Sequence, residues 1–150
     1  MNLKTTIERL DLPQFEPPNP RVIDWLRSKK VDEVTIQELS SCSTCSHIKI
    51  NQIYLNKFND LIEENSDEQN ELCLENGFLI IGSGLNGDPI VISIETKKIG
   101  YVCHDELWED EECNFEDIVY VTRLNLSEFY ESAQEKGFPV DIHDAEEEGI

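Results

Sequence analysis

Asn76-Gly77-Phe78-Leu79-Ile80-Ile81-Gly82-Ser83-Gly84-Leu85-Asn86-Gly87-Asp88-Pro89-Ile90-Val91-Ile92-Ser93-Ile94-Glu95 decides the architecture. Gly77 to Gly82 is a short apolar run bounded by glycines, the pattern of a strand covered on both faces. Pro89 to Glu95 alternates: Ile90, Ile92 and Ile94 face one way, Val91, Ser93 and Glu95 the other, which predicts a half-buried strand. Asn86-Gly87 between them is a hairpin-turn pair, both residues tolerating positive φ. Thr96-Lys97-Lys98 turns the chain again, and Ile99-Gly100-Tyr101-Val102-Cys103-His104 reads as a third strand. Links this short force antiparallel pairing, because a parallel crossover needs a dozen or more residues.

Around this meander the signals are shorter. Residues 1–18 carry Pro13, Pro17 and Pro18 and read as an extended lead-in. Asn19-Pro20 opens a helix through Lys30 with Val22, Ile23, Trp25 and Leu26 on one face. Thr35-Ile36-Gln37-Glu38 fits a capping box and places a second helix near 35–41. His47–Leu55 predicts a strand or strand pair with a break at Asn51-Gln52. Phe58–Glu64 predicts a helical turn, and Asn65–Asn70 a polar loop. Ile118–Val121 is a fourth strand. Asn125-Leu126-Ser127-Glu128 opens a last helix with Leu126, Phe129, Tyr130 and Ala133 inward, stopping at Gly137. Residues 138–150 read as a mobile acidic tail of one domain spanning 1–150.

The 150 residues carry 12 Lys and Arg against 32 Asp and Glu, a formal charge of −20. Residues 1–50 are balanced at seven of each sign, so the whole excess lies in 51–150. Asp105–Asp117 holds eight carboxylates and Asp60–Glu75 seven, neither with any Lys or Arg, and Asp141–Ile150 adds five. Nucleic-acid binders need a basic footprint that displaces counterions, so that class is excluded. There is no run of about 18 apolar residues, hence no expected membrane span, and the first residues lack the apolar stretch of a signal peptide. The expectation is a cytoplasmic protein, in keeping with an odd number of cysteines, five, and no disulfide framework.

A charge so localised reads either as a solubilising surface or as a docking face for a basic protein. The residues that would form that face are Asp105, Glu106, Trp108, Glu109, Asp110, Glu111 and Glu112. Trp108 is either an interface aromatic or, with Leu107, tucked onto the sheet edge. The stretch lacks the ligand spacing and central glycine of a calcium loop. Gly82-Ser83-Gly84-Leu85-Asn86-Gly87 matches G-x-G-x-x-G, but a strand follows where a dinucleotide site needs a helix; Asn86, Gly87 and Asp88 are read as turn residues. Cys42, Cys45 and His47 offer three clustered soft ligands, one fewer than a structural zinc site takes, so no metal is expected. His104-Asp105 lies on an expected strand, where neighbours point apart, and no catalytic constellation stands out.

The ordered set Asn76-Gly77-Phe78-Leu79-Ile80-Ile81-Gly82, Asn86-Gly87-Asp88-Pro89-Ile90-Val91-Ile92, Ile99-Gly100-Tyr101-Val102 and the Leu-Ser-Glu-Phe helix at Leu126–Phe129 resembles the SUKH superfamily, typified by Smi–Knr-type cell-wall-assembly regulators. The resemblance runs from about Phe58 to Ala133, half of the chain. It implies an α+β fold with a curved, mainly antiparallel sheet and helices packed against it. It also implies no catalytic residues and no cofactor, and it places a turn at Gly100. Many bacterial members look like immunity proteins that neutralise toxin domains, often nucleases; others look like intracellular regulatory or ligand-binding modules. The expectation is therefore a non-enzymatic immunity-type protein whose partner is a basic toxin domain. The alternatives are a regulatory or ligand-binding module of the same fold, or a zinc protein on Cys42, Cys45 and His47. The sequence sets no oligomeric state.

Overall fold

Alternating apolar residues and tight turns give six strands that pair strictly with their chain neighbours: β1 (Ile48–Ile50), β2 (Ile53–Leu55), β3 (Phe78–Ser83), β4 (Pro89–Ser93), β5 (Lys98–Val102) and β6 (Val119–Asn125). The computed structural model describes residues 14–109 and 114–150. All pairings are antiparallel, with Leu79 opposite Ile92, Ile90 opposite Tyr101 and Tyr101 opposite Tyr120. The sheet is open, and eight α-helices among the described residues pack on it: α1 (Pro20–Ser28), α2 (Glu33–Ser40), α3 (Leu61–Ser66), α4 (Glu71–Glu75), α5 (His104–Glu109), α6 (Phe115–Ile118), α7 (Leu126–Ser132) and α8 (Ile142–Glu148). The fold is α+β, the class that the resemblance implies, with the antiparallel meander that the strand signals predict. No helix of the described residues is long and apolar enough to cross a membrane.

The sheet is covered on both faces. Leu79, Ile81, Ile90, Ile92, Ile99 and Tyr101 meet Val22 and Leu26 of α1, Phe129 and Tyr130 of α7, and Ile142 and Ala145 of α8. On the opposite face Ile80, Val91 and Val102 lie under Cys73, Leu107, Phe115 and Ile118. β4 is therefore buried along its whole length rather than half-buried, because α4 to α6 cover the face that alternation assigned to solvent.

Several local expectations shift. Asn19 caps α1 by accepting from the Arg21 N–H at 2.9 Å, as read. The box at Thr35–Glu38 is not a cap: α2 starts at Glu33, and Thr35 is buried within it. Asn65 is no loop residue. Its Oδ1 accepts from the Ile80 N–H at 2.7 Å, and its Nδ2 donates to the Ile80 carbonyl at 2.9 Å. β2 reaches β3 only at Gly82 and Ser83, so Asn65 continues the ladder where the strand has ended. His104 opens α5 instead of extending β5, and Ile118 closes α6 instead of opening β6. The capping box at Asn125 and Glu128 forms, but α7 ends at Ser132, before Gly137.

The expected mobile tail is replaced by a docked helix. Asp141 caps α8 by accepting from Asp144 N–H at 2.8 Å, and Ile142 and Ala145 are buried. Three contacts seat its approach. The Tyr101 hydroxyl donates to the Pro139 carbonyl at 2.9 Å, and the Ile142 N–H donates to Asp88 Oδ2 at 3.0 Å. The Val140 carbonyl lies against Gly84, where any Cβ would overlap it. The lead-in is extended from Gln14 on, pairing at Phe15 with Thr44 and through the Glu16 N–H to the Ser43 carbonyl at 3.0 Å; its first 13 residues lie outside the described ones.

Candidate functional site

The β3–β4 hairpin, the β5–α5 junction and α4 meet at one corner. The hairpin turns through Gly84–Gly87, with the Gly87 N–H on the Gly84 carbonyl at 3.1 Å. Only Gly87 takes a positive φ, +96°, so the turn needs a single left-handed residue rather than the Asn86-Gly87 pair. Asn86 instead accepts from the Asp88 N–H at 3.2 Å.

Asp88 is not the local turn residue the sequence suggests. It is 1% exposed and collects donors from distant elements. Oδ1 accepts from the His104 N–H at 3.1 Å and faces His104 Nδ1 at 2.6 Å, while Oδ2 takes the Ile142 N–H. One buried carboxylate thus serves the first residues of both α5 and α8, where helix dipoles favour negative charge. Its burial is tolerable because its lone pairs are used. Gly100 is likewise no turn residue: it sits within β5 opposite Val91 and Val121.

His104 has a carboxylate at each ring nitrogen, since Nε2 lies 3.0 Å from Asp105 Oδ1. A buried aspartate orienting an imidazole is half of a general-base arrangement. Here the second nitrogen faces Asp105, 70% exposed at its side chain, rather than a hydroxyl or thiol. One turn on, Trp108 packs edge-to-face on His104 with ring centroids 5.1 Å apart, and its Nε1 donates to Asn70 Oδ1 at 3.1 Å. Leu107 is tucked under the sheet at 7% exposure, whereas Trp108 remains 40% exposed. The two alternatives read for this pair thus divide between its members.

The Trp108–Asn70 bond joins acidic stretches that lie 30 residues apart in sequence. Between them runs a groove of about 450 Å³ lined by Glu68, Glu71, Leu72, Glu75, Leu107 and Trp108. Asp105, Glu106 and Glu109 are exposed on α5. Asp110, Glu111 and Glu112 lie outside the described residues. At the far end of the first stretch the Glu64 carboxyl is pushed above its ordinary value, first by burial and then by Asp67, with His47 opposing. Burial likewise pushes Glu38 up.

The soft-ligand trio does not assemble. Cys42 is buried, Cys45 is exposed, and His47 Nδ1 accepts from the Lys57 N–H at 3.1 Å. Among the described residues no group of three or more His, Cys, Asp or Glu side chains is placed to hold a metal. Sequence reasoning named Asp88 only as a turn residue and missed Asn70 and Asn65. The signal for Asp88 was a charge set directly before the apolar run Pro89-Ile90-Val91-Ile92; Asn65 and Asn70 carried none. Compared with known proteins, the chain matches no family model and has no significant match among curated proteins or solved structures.

Proposed function

We propose that this chain is a non-enzymatic binding protein whose acidic corner receives a basic protein partner, in the manner of an immunity protein neutralising a toxin domain. The observation that carries the reading is the meeting of the two acidic stretches around Trp108, a ring held by His104 and Asn70 with its remaining surface open. An immobilised aromatic inside a charged rim has the composition of an interface hot spot. A negative field speeds encounter with a positive partner and selects against like-charged ones. A nuclease-type toxin fits, because a nucleic-acid groove is positive. The resemblance carried by Asn76–Gly82 and Asn86–Ile92 points the same way.

The test is association kinetics with a toxin domain encoded beside this chain. Its on-rate should fall steeply as the Debye length shrinks from about 30 Å at 0.01 M salt to about 3 Å at 1 M. Glu106→Lys with Glu109→Lys should slow low-salt association about tenfold and leave the circular dichroism unchanged. An on-rate indifferent to both salt and reversal would remove this corner from the interface.

A further inference from the structure

Among the lining residues of the α4–α5 groove there is no lysine or arginine, and among the described residues none of Glu68, Glu71 and Glu75 is held in an ion pair. The three stand at spacings of three and four residues, along one side of α4 and the turn before it. Leu72, Leu107 and Trp108 supply an apolar lining beside them. The volume lies within the range of about 300–1,000 Å³ seen for ligand pockets, far more than a bare cation fills. A second chain of charge −20 is repelled from it. The complementary occupant is a segment that brings positive charge and apolar bulk together.

We infer that the groove is the docking site for an arginine-bearing amphipathic segment of the partner, a step that rests on the binding reading above and deepens it. Arginine rather than lysine fits both halves of the lining. Its planar fork matches carboxylates, and its face stacks on an indole. A neighbouring leucine-type side chain covers Leu72 and Leu107.

The experiment adds two acetylated, amidated hexapeptides, Arg-Leu-Arg-Arg-Leu-Arg and Arg-Gly-Arg-Arg-Gly-Arg, to the ¹⁵N-labelled full chain at low salt. The two tryptophans give two indole N–H signals, which Trp108→Phe assigns. Trp25 reports on the neighbouring concavity, which shares Glu71 and Glu75 with the groove and includes Lys29. The leucine peptide should move the Trp108 signal saturably at one per chain, and by more than it moves the Trp25 signal. The glycine peptide should bind several-fold more weakly. Glu68→Gln, Glu71→Gln and Glu75→Gln together should weaken the leucine peptide about tenfold; these exposed, size-conserving changes spare the fold.

Equal binding of the two peptides with a motionless Trp108 signal would overturn the groove. If that binding still weakened on Glu106→Lys with Glu109→Lys, the acidic-corner reading would survive. Failure of both peptides to bind at 0.01 M salt would sink both readings. A Trp108 shift produced by Mg²⁺ or Ca²⁺ alone, or by raising the chain concentration alone, would assign the groove to a cation or a second copy and overturn the inference.

Discussion

Asp105–Glu109 and Asp141–Ile150 look alike as sequence: both are dense in carboxylates, with a few apolar residues among them. Both become short helices, and both start on the same carboxylate, Asp88. Their fates then diverge. α8 buries Ile142 and Ala145, rests the Val140 carbonyl on Gly84 and ends at Gly149 with φ +65°. α5 buries Leu107 alone and leaves Trp108 half out beside an acidic groove. The lesson is that carboxylate density sets neither order nor role. The apolar minority decides how much of a helix is absorbed into the core, and what it leaves outside is available for binding.

The comparison breaks hardest at its shared point. Asp88→Ala strands the His104 and Ile142 N–H groups and the His104 ring, and should cost about 3–5 kcal/mol in urea unfolding. Amide exchange should accelerate at the starts of α5 and α8 together. A response confined to one helix would show that the carboxylate is not common to both. Ile142→Ala tests the tail alone. It should cost about 2–4 kcal/mol and free α8, while the Trp108 indole signal stays where it is. Movement of that signal would mean the two helices are coupled through more than Asp88.

The smallest expected effect is electrostatic. The fold raises the Glu64 carboxyl above its ordinary value, chiefly by burial, so ionising it costs stability. That cost is absent at low pH, where folded and unfolded chains are both protonated. It grows as pH rises through the ordinary carboxylate range to the raised native value, and persists above it. Glu64→Gln should therefore stabilise by about 0.5 kcal/mol at neutral pH and by nothing near about pH 3. An equal gain at both pH values would assign the effect to packing.

The central sheet was legible because Phe78–Ile81, Ile90–Ile92 and Ile99–Val102 state burial and turn position in the same few residues. The Asn125–Glu128 cap was legible for a similar reason: both partners of its hydrogen bonds lie within one turn. The box at Thr35 deceived because the burial of Val31 and Ile36 sets the frame of α2, and those contacts come from elsewhere in the chain. Of the candidate site, Trp108 and the two acidic stretches could be named, but not their meeting, which depends on a hydrogen bond between residues 38 apart. Asp88 was misread because its donors arrive from 16 and 54 positions away, beyond any local pattern.

Sheet order that copies chain order has a kinetic consequence. Each strand finds its partner across a hairpin or a short helical excursion, so little loop entropy is lost before pairing is rewarded. The contacts that bind α8 to Asp88 and Pro139 to Tyr101 close loops of 54 and 38 residues and demand a sheet that already exists. Refolding should thus be sequential. In pulse-labelled hydrogen exchange, the β3–β5 amides should be protected before the Ile142 amide, and the reverse order would mean that the chain's last helix helps nucleate the sheet it seals.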